Sequence, residues 1–165
     1  VLTYNRLIDL KMLTENSWAQ IEVQLKRRFD LIPNLVETVK GYARHERKVF
    51  EEVSKLRTRF LNSKTVNERV RLNERLSDVL KTIFAVAERY PRLRANENFK
   101  ELQKELTRTE DKIAYMRQFY NDTVYRYNTA IKQFPNNLIA KIFGFEPKLM
   151  FEAIAEEKKP IKIKF

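Results

Sequence analysis

The chain has 165 residues, enough for one domain with a continuous core, and no cysteine, which excludes disulfides, thiol nucleophiles and thiolate metal sites. Its 33 basic and 22 acidic side chains leave a formal charge of +11, which favours an anionic partner: nucleic acid, an anionic membrane surface or an acidic protein. Two glycines are too few for the turns of a β-rich domain, and no stretch approaches the roughly 20 apolar residues of a membrane span.

The first predicted helix runs over about residues 2–32, with Leu7, Leu10, Trp18, Ile21, Leu25 and Ile32 on one face. Pro33 interrupts its ladder, because proline lacks an N–H and crowds the carbonyl one turn back. Leu35, Val36, Val39, Tyr42 and Ala43 resume the apolar habit, which predicts a kink at Pro33 rather than a long loop. Gly41 falls inside that pattern and reads as a close-packing or bending site. Helicity is expected to continue through Val49, Phe50, Val53, Leu56 and Phe60, ending in the polar turn Asn62-Ser63-Lys64. Thr65 and Glu68 then have the spacing of a capping box, in which side chains satisfy two orphan amides. A third long helix carries Val66, Val70, Leu76, Val79, Leu80, Ile83, Phe84 and Ala87, and Tyr90-Pro91 stops it.

Residues 98–134 hold a helical repeat free of Gly and Pro, starting from a cap at Asn96 or Asn98. Its seam is Leu102, Leu106, Ile113, Tyr120, Val124, Tyr127, Ile131 and Phe134. A helix of about 37 residues reaches about 55 Å and must bury its stripe against other long helices. The expected fold is therefore all-α: an antiparallel bundle of about four long helices, the first kinked at Pro33, with a short C-terminal helix over residues 138–143 closed by Gly144. Leu138, Ile142, Phe143, Phe145, Met150 and Phe151 either cover the open end of the core or form a candidate partner surface. The division expected is a bundle over residues 1–152 (long helices to 134, a short apolar helix and turn after) and a basic tail over 153–165. The tail alternates Lys with Ile or Phe, as an appendage or an edge that lacks a partner strand.

Two polar rows border the apolar stripes. At 100° per residue, Gln103, Glu110, Arg117, Asn121 and Asn128 fall within about 40° of one another on the long helix. Asn16, Gln20 and Arg27 form a similar row on the first helix. One reading is a hydrogen-bond network that fixes helix register. The other is a polar cleft with Glu110 and Arg117 as its charged ends, Arg27 or Arg28 being the natural partner of Glu110. Other chemistry is thin. His45 is the single histidine, no Glu-x-x-His pair of a di-iron bundle occurs, and no serine has a glycine elbow or phosphate loop. No catalytic residue, metal or cofactor is expected. Tyr90-Pro91-Arg92-Leu93-Arg94 mixes aromatic and basic residues as nucleic-acid surfaces do, but the basic residues of the whole chain are spread out, which argues against a dedicated footprint.

The run WAQIEVQLKRRFDLIPNLVETVKGY over residues 18–42 resembles the signature of LemA proteins. Asn96-Glu97-Asn98-Phe99, Arg117-Gln118-Phe119-Tyr120-Asn121-Asp122, Tyr127-Asn128, Phe134-Pro135-Asn136-Asn137 and Phe143-Gly144-Phe145 extend the resemblance over roughly residues 4–152. It implies a bacterial or archaeal protein with one N-terminal transmembrane helix, a short external N-terminus and an antiparallel helical bundle in the cytoplasm, and it brings no catalytic residues or cofactors. The helical spacing already present at Leu2, Leu7, Ile8 and Leu10 fits a membrane segment upstream. Arg6 and Lys11 favour the cytoplasmic side for the bundle. The tail after Lys158 carries no strong pattern of the family. The function expected is a non-enzymatic, membrane-tethered scaffold or protein-interaction module of the bacterial envelope with an unidentified protein partner. Binding of anionic lipid by a basic domain is the alternative, and nucleic acid a weaker one.

Overall fold

The same stripe spacing that predicts helices recurs in the computed structural model, which describes residues 1–157, Pro160 and Ile161. The helices are α1 (Leu2–Asp30), α2 (Ile32–Lys40), α3 (Arg47–Asn62), α4 (Val66–Ala87), α5 (Pro91–Ala95), α6 (Glu97–Lys132), α7 (Asn136–Phe143) and α8 (Phe151–Glu156), and no strand occurs among the described residues. The fold is an all-α bundle. The alternating end of the tail lies outside the described residues, apart from Pro160 and Ile161.

α1 and α6 run antiparallel along most of their lengths. Leu7 shares a small cluster with Tyr127, Trp18 packs on Tyr120 with ring centroids 5.1 Å apart, and Arg27 meets Glu105 at 2.8 Å. α3 and α4 form an antiparallel hairpin against this pair, joined to it by Phe29 stacked on Phe60 at 4.1 Å and by Phe84 on Phe99 at 6.2 Å. The helix starts obey their caps: Thr65 accepts from the Glu68 amide at 3.3 Å and Asn96 from the Phe99 amide at 3.0 Å.

Three local expectations need correction. The break after α1 falls at Leu31, and Pro33 lies in the first turn of α2, where a missing N–H costs nothing. Gly41 is not a close-packing site. It ends α2 with φ −68°, and a Cβ there would meet no atom within 4 Å. The chain turns through the buried Ala43 and a short 3-10 turn, Arg44–Glu46, before α3 begins. Phe134, expected on the seam, is 80% exposed beyond the end of α6, because a residue preceding proline is driven out of helical geometry. The other seam residues of α6 are buried.

The lengths do not match. α6 has 36 residues and α3 has 16, so on the order of 54 Å of helix faces about 24 Å. The uncovered part of the α1–α6 pair is sealed by the two short helices C-terminal to α6. α7 packs Ala140 and Ile139 on Leu7, Tyr127 and Ile131, while α8 inserts Phe151 and Ile154 into the main core. The boundary expected after residue 152 thus falls inside α8. Gly144 closes α7 in the left-handed region, φ 72°, where a side chain would be strained.

Ile113 is 5% exposed at the centre of the seam and belongs to the main core cluster. Ile113→Ala should destabilise the fold by about 2–5 kcal/mol in urea denaturation; an unchanged midpoint would place Ile113 outside the core.

Candidate functional site

The polar border of α6 faces the main chain of residues 145–157, a strap that crosses the bundle from α7 to the start of α4. Asn128 holds it at two points: its Nδ2 donates to the Lys148 carbonyl at 3.0 Å and its Oδ1 accepts from the Lys148 amide at 2.9 Å. Two turns earlier the Tyr120 hydroxyl donates to the Leu149 carbonyl at 2.9 Å, and burial raises the Tyr120 pKa, which keeps the phenol protonated as a donor. Asn121 Oδ1 accepts from the Phe151 amide at 2.9 Å, satisfying an orphan donor at the start of α8, and its Nδ2 donates to the Glu152 carboxylate at 3.2 Å. Arg117 binds the same carboxylate at 2.6 Å and stacks over the Phe151 ring at 4.7 Å. Lys148 reaches across to Glu15 of α1 at 3.3 Å.

α4 holds the other end. Asn67 donates to the carbonyls of Ile154 (3.2 Å) and Glu157 (3.1 Å) and accepts from the Ile161 amide at 2.7 Å. The Val66 amide donates to the Ile161 carbonyl at 2.7 Å, and Arg71 donates to the carbonyls of Ala155 (2.8 Å) and Glu157 (2.6 Å). Ile161, in the tail that lacked a partner strand, finds its partner here in the first turn of α4. Sequence reasoning missed Asn67 and Arg71. The available signal was Asn67 itself, a polar residue between Val66 and Val70 on the buried side of a helix start.

The remaining residues of the two rows do not join these. Glu110 is exposed and lies 3.8 Å from Arg28, whose guanidinium is buried and donates to Asn73 Oδ1 at 2.6 Å. Burial lowers the Arg28 pKa, and Glu110 opposes that shift. Arg27 pairs with Glu105, and Asn16 and Gln20 are exposed on α1. At 100° per residue the α1 row lies about 100° or more from Glu15 and Glu22, which face Lys148 and Arg69. The two rows therefore turn to different sides, and the single cleft between them does not form. Gln103 is half-buried on the rim of a shallow groove along α6.

The apolar set divides too. Leu138, Ile142 and Phe143 are exposed, Phe145 and Met150 are half-buried, and Phe151 is 1% exposed between Trp18 and Arg117. Phe151 is core and cannot belong to a partner surface. Among the described residues, no three His, Asp or Glu are grouped to hold a metal ion, and no helix is long and apolar enough to cross a membrane. The border chemistry is that of saturated donors and acceptors: it holds and orients a backbone.

Residues 17–165 match the LemA family. The chain belongs to the LemA family. The matched region reaches past residue 152 to Phe165, so it includes the basic tail, whose residues carry no strong family pattern of their own. Magnetosome proteins MamQ 1 and MamQ 2 of Paramagnetospirillum magneticum are each 25% identical over 187 residues, spanning 98% of this chain and 69% of the relative. Magnetosome protein MamQ of Magnetospirillum gryphiswaldense is 23% identical over 172 residues, spanning 88% of this chain and 63% of its own.

The LemA strap can be tested at two of its contacts. Asn121→Ala leaves the Phe151 amide without its acceptor and should cost about 1–3 kcal/mol, against a near-neutral Lys112→Ala on the exposed face, both read by urea denaturation. Equal midpoints would show that the border does not hold the strap. Burial pushes the Glu152 carboxyl up, but its hydrogen bonds and the Arg117 guanidinium outweigh this and hold its pKa below the ordinary value. A depressed folded pKa stabilises above the unfolded value and loses that contribution as pH falls through the folded one. The stability advantage over Glu152→Gln should thus be complete at pH 7 and shrink from about pH 5 downward; an advantage independent of pH would contradict the ion pair.

Proposed function

We propose that this LemA-family chain is the bundle of a non-enzymatic, membrane-tethered scaffold or protein-interaction module of the bacterial envelope, its bundle on the cytoplasmic side. The observation that carries this reading is the use made of the polar border. Asn121, Asn128 and Tyr120 are occupied by strap main chain, and Arg117 by Glu152, so the side chains best placed to line a reactive cleft instead lock the shape of the bundle. A body whose polar border is occupied by its own main chain suits a role performed by contact. The LemA resemblance supports a tether and this orientation, and Arg6 and Lys11 near the start of α1 favour the same side.

Adhesion of the whole basic body to anionic lipid is less well supported. Carboxylates are interleaved with the cations along the molecule, as in Arg69–Glu22, Arg75–Glu52, Arg94–Glu88 and Arg27–Glu105. Nucleic-acid binding through Arg92 and Arg94 loses weight for the same reason, since Arg94 faces Glu88 at 3.4 Å.

Photo-crosslinking in cells tests the scaffold reading, using the full-length anchored protein with a photoreactive residue at Val23, Tyr115 or Phe119, all exposed on α1 and α6. One face should yield a discrete protein adduct of reproducible mass. The reading fails if every exposed position yields none, or if the purified protein shows a hydrolytic activity that one side-chain replacement abolishes.

A further inference from the structure

The end of the bundle opposite α5 has an apolar surface that the core does not use. At 100° per residue, Leu138, Ile142, Ile139 and Phe143 cover about 140° of α7, yet the small cluster beneath takes only Ile139 and Ala140. Leu138 is 52% exposed, Ile142 72% and Phe143 58%, and the preceding Phe134 is 80% exposed. The Phe143 ring lies 4.7 Å from Tyr4, so the patch continues onto the first turns of α1. Single exposed apolar side chains are ordinary, but a contiguous group of this kind marks a contact surface.

The charges around the patch identify what it contacts. Residues 123–145 include Arg126, Lys132 and Lys141 and no carboxylate, whereas the helices elsewhere interleave carboxylates with their cations, as in Arg27–Glu105, Arg69–Glu22 and Arg94–Glu88. Arg6 is exposed on α1, and Lys11 lies 6.0 Å over the Phe145 ring. The acids flanking the stretch in sequence are Asp122 and Glu146, and Asp9 follows on α1. Protein interfaces are depleted in lysine. An apolar stripe bordered by lysine and free of acid is instead the pattern of a helix lying in the headgroup region of a bilayer.

We propose that α7, with Phe134 and the first turns of α1, seats on the surface of an anionic lipid bilayer. Leu138 and Ile142 enter the acyl boundary, Lys132 and Lys141 meet lipid phosphates, and the α1–α6 pair carries the rest of the bundle away from the surface. This deepens the tethered reading by naming the surface that meets the membrane.

The absence of cysteine makes the test direct. Leu138→Cys, Ile142→Cys and, at the far end, Arg92→Cys are each labelled with an environment-sensitive fluorophore in the full chain. Each is titrated with phosphatidylglycerol–phosphatidylethanolamine vesicles and with pure phosphatidylcholine vesicles. The probes at 138 and 142 should shift to the blue with the anionic vesicles and be quenched by a quencher carried in the acyl chains, while the probe at 92 stays unchanged. The double variant Leu138→Ser, Ile142→Ser should bind these vesicles about tenfold or more weakly, with the melting temperature of the parent, since both side chains are exposed. Silence at 138 and 142, or an equal response at 92, overturns the proposal. So does a probe shift that needs no vesicles and tracks dimerisation in light scattering, which would make a second copy the occupant. Discrete crosslinks at Val23, Tyr115 or Phe119 alongside silent probes would remove the bilayer contact and leave the scaffold reading standing. Responsive probes without crosslinks would do the reverse.

Discussion

Because α6 is more than twice as long as α3, the α3–α4 hairpin cannot cover the whole length of the α1–α6 pair. Exposed aliphatic seam residues would cost about 25 cal/mol for each Å² left in water, so the unpaired stretch must be covered. The chain covers it with its own later part, α7 on one cluster and α8 on the other. The strap, the polar border and the apolar end all exist because the two long helices outrun the hairpin packed on them.

Covering a seam with an irregular segment creates a second requirement. Main-chain amides and carbonyls in residues 146–149 belong to no helix ladder, and each such group is costly if buried and left unpaired. Asn128 answers one residue's amide and carbonyl together, as a neighbouring strand would, and Asn121 supplies the acceptor that an N-cap would normally give. Asparagine suits this task because one short side chain carries both a donor and an acceptor. Arg28 is a harder case. Its charge is buried against Asn73 with Glu110 only at 3.8 Å, so the cost of desolvation offsets much of what these partners contribute to stability.

Helix identity was legible from spacing, and the caps at Thr65 and Asn96 from residue type, because both depend on neighbours within one turn. The seam was legible as far as Ile131, and it failed at Phe134 because periodicity alone does not register the effect of the following proline. Gly41 looked interior because apolar residues flank it, although Ala43 fills a bend rather than a helix face. The border on α6 could be seen as an angular strip, but its ligand could not: a backbone presents the same amide and carbonyl whatever the side chains, so nothing in the strap announced the contact. For the same reason Asn67 and Arg71 escaped notice. Phe151 could not be assigned to core or surface from sequence, because its neighbours Trp18 and Arg117 come from helices more than 30 residues away.

The strap is also the last of the described bundle to be made. Asn67 and Ile161 are separated by 94 positions, and Lys148 and Glu15 by 133. During synthesis from the N-terminus, α1 and the α3–α4 hairpin emerge well before the segments that seal the seam. Until α7 and α8 leave the ribosome, the nascent chain must hold an open apolar flank. The same topology places closure at the end of assembly, when the longest loops are drawn shut.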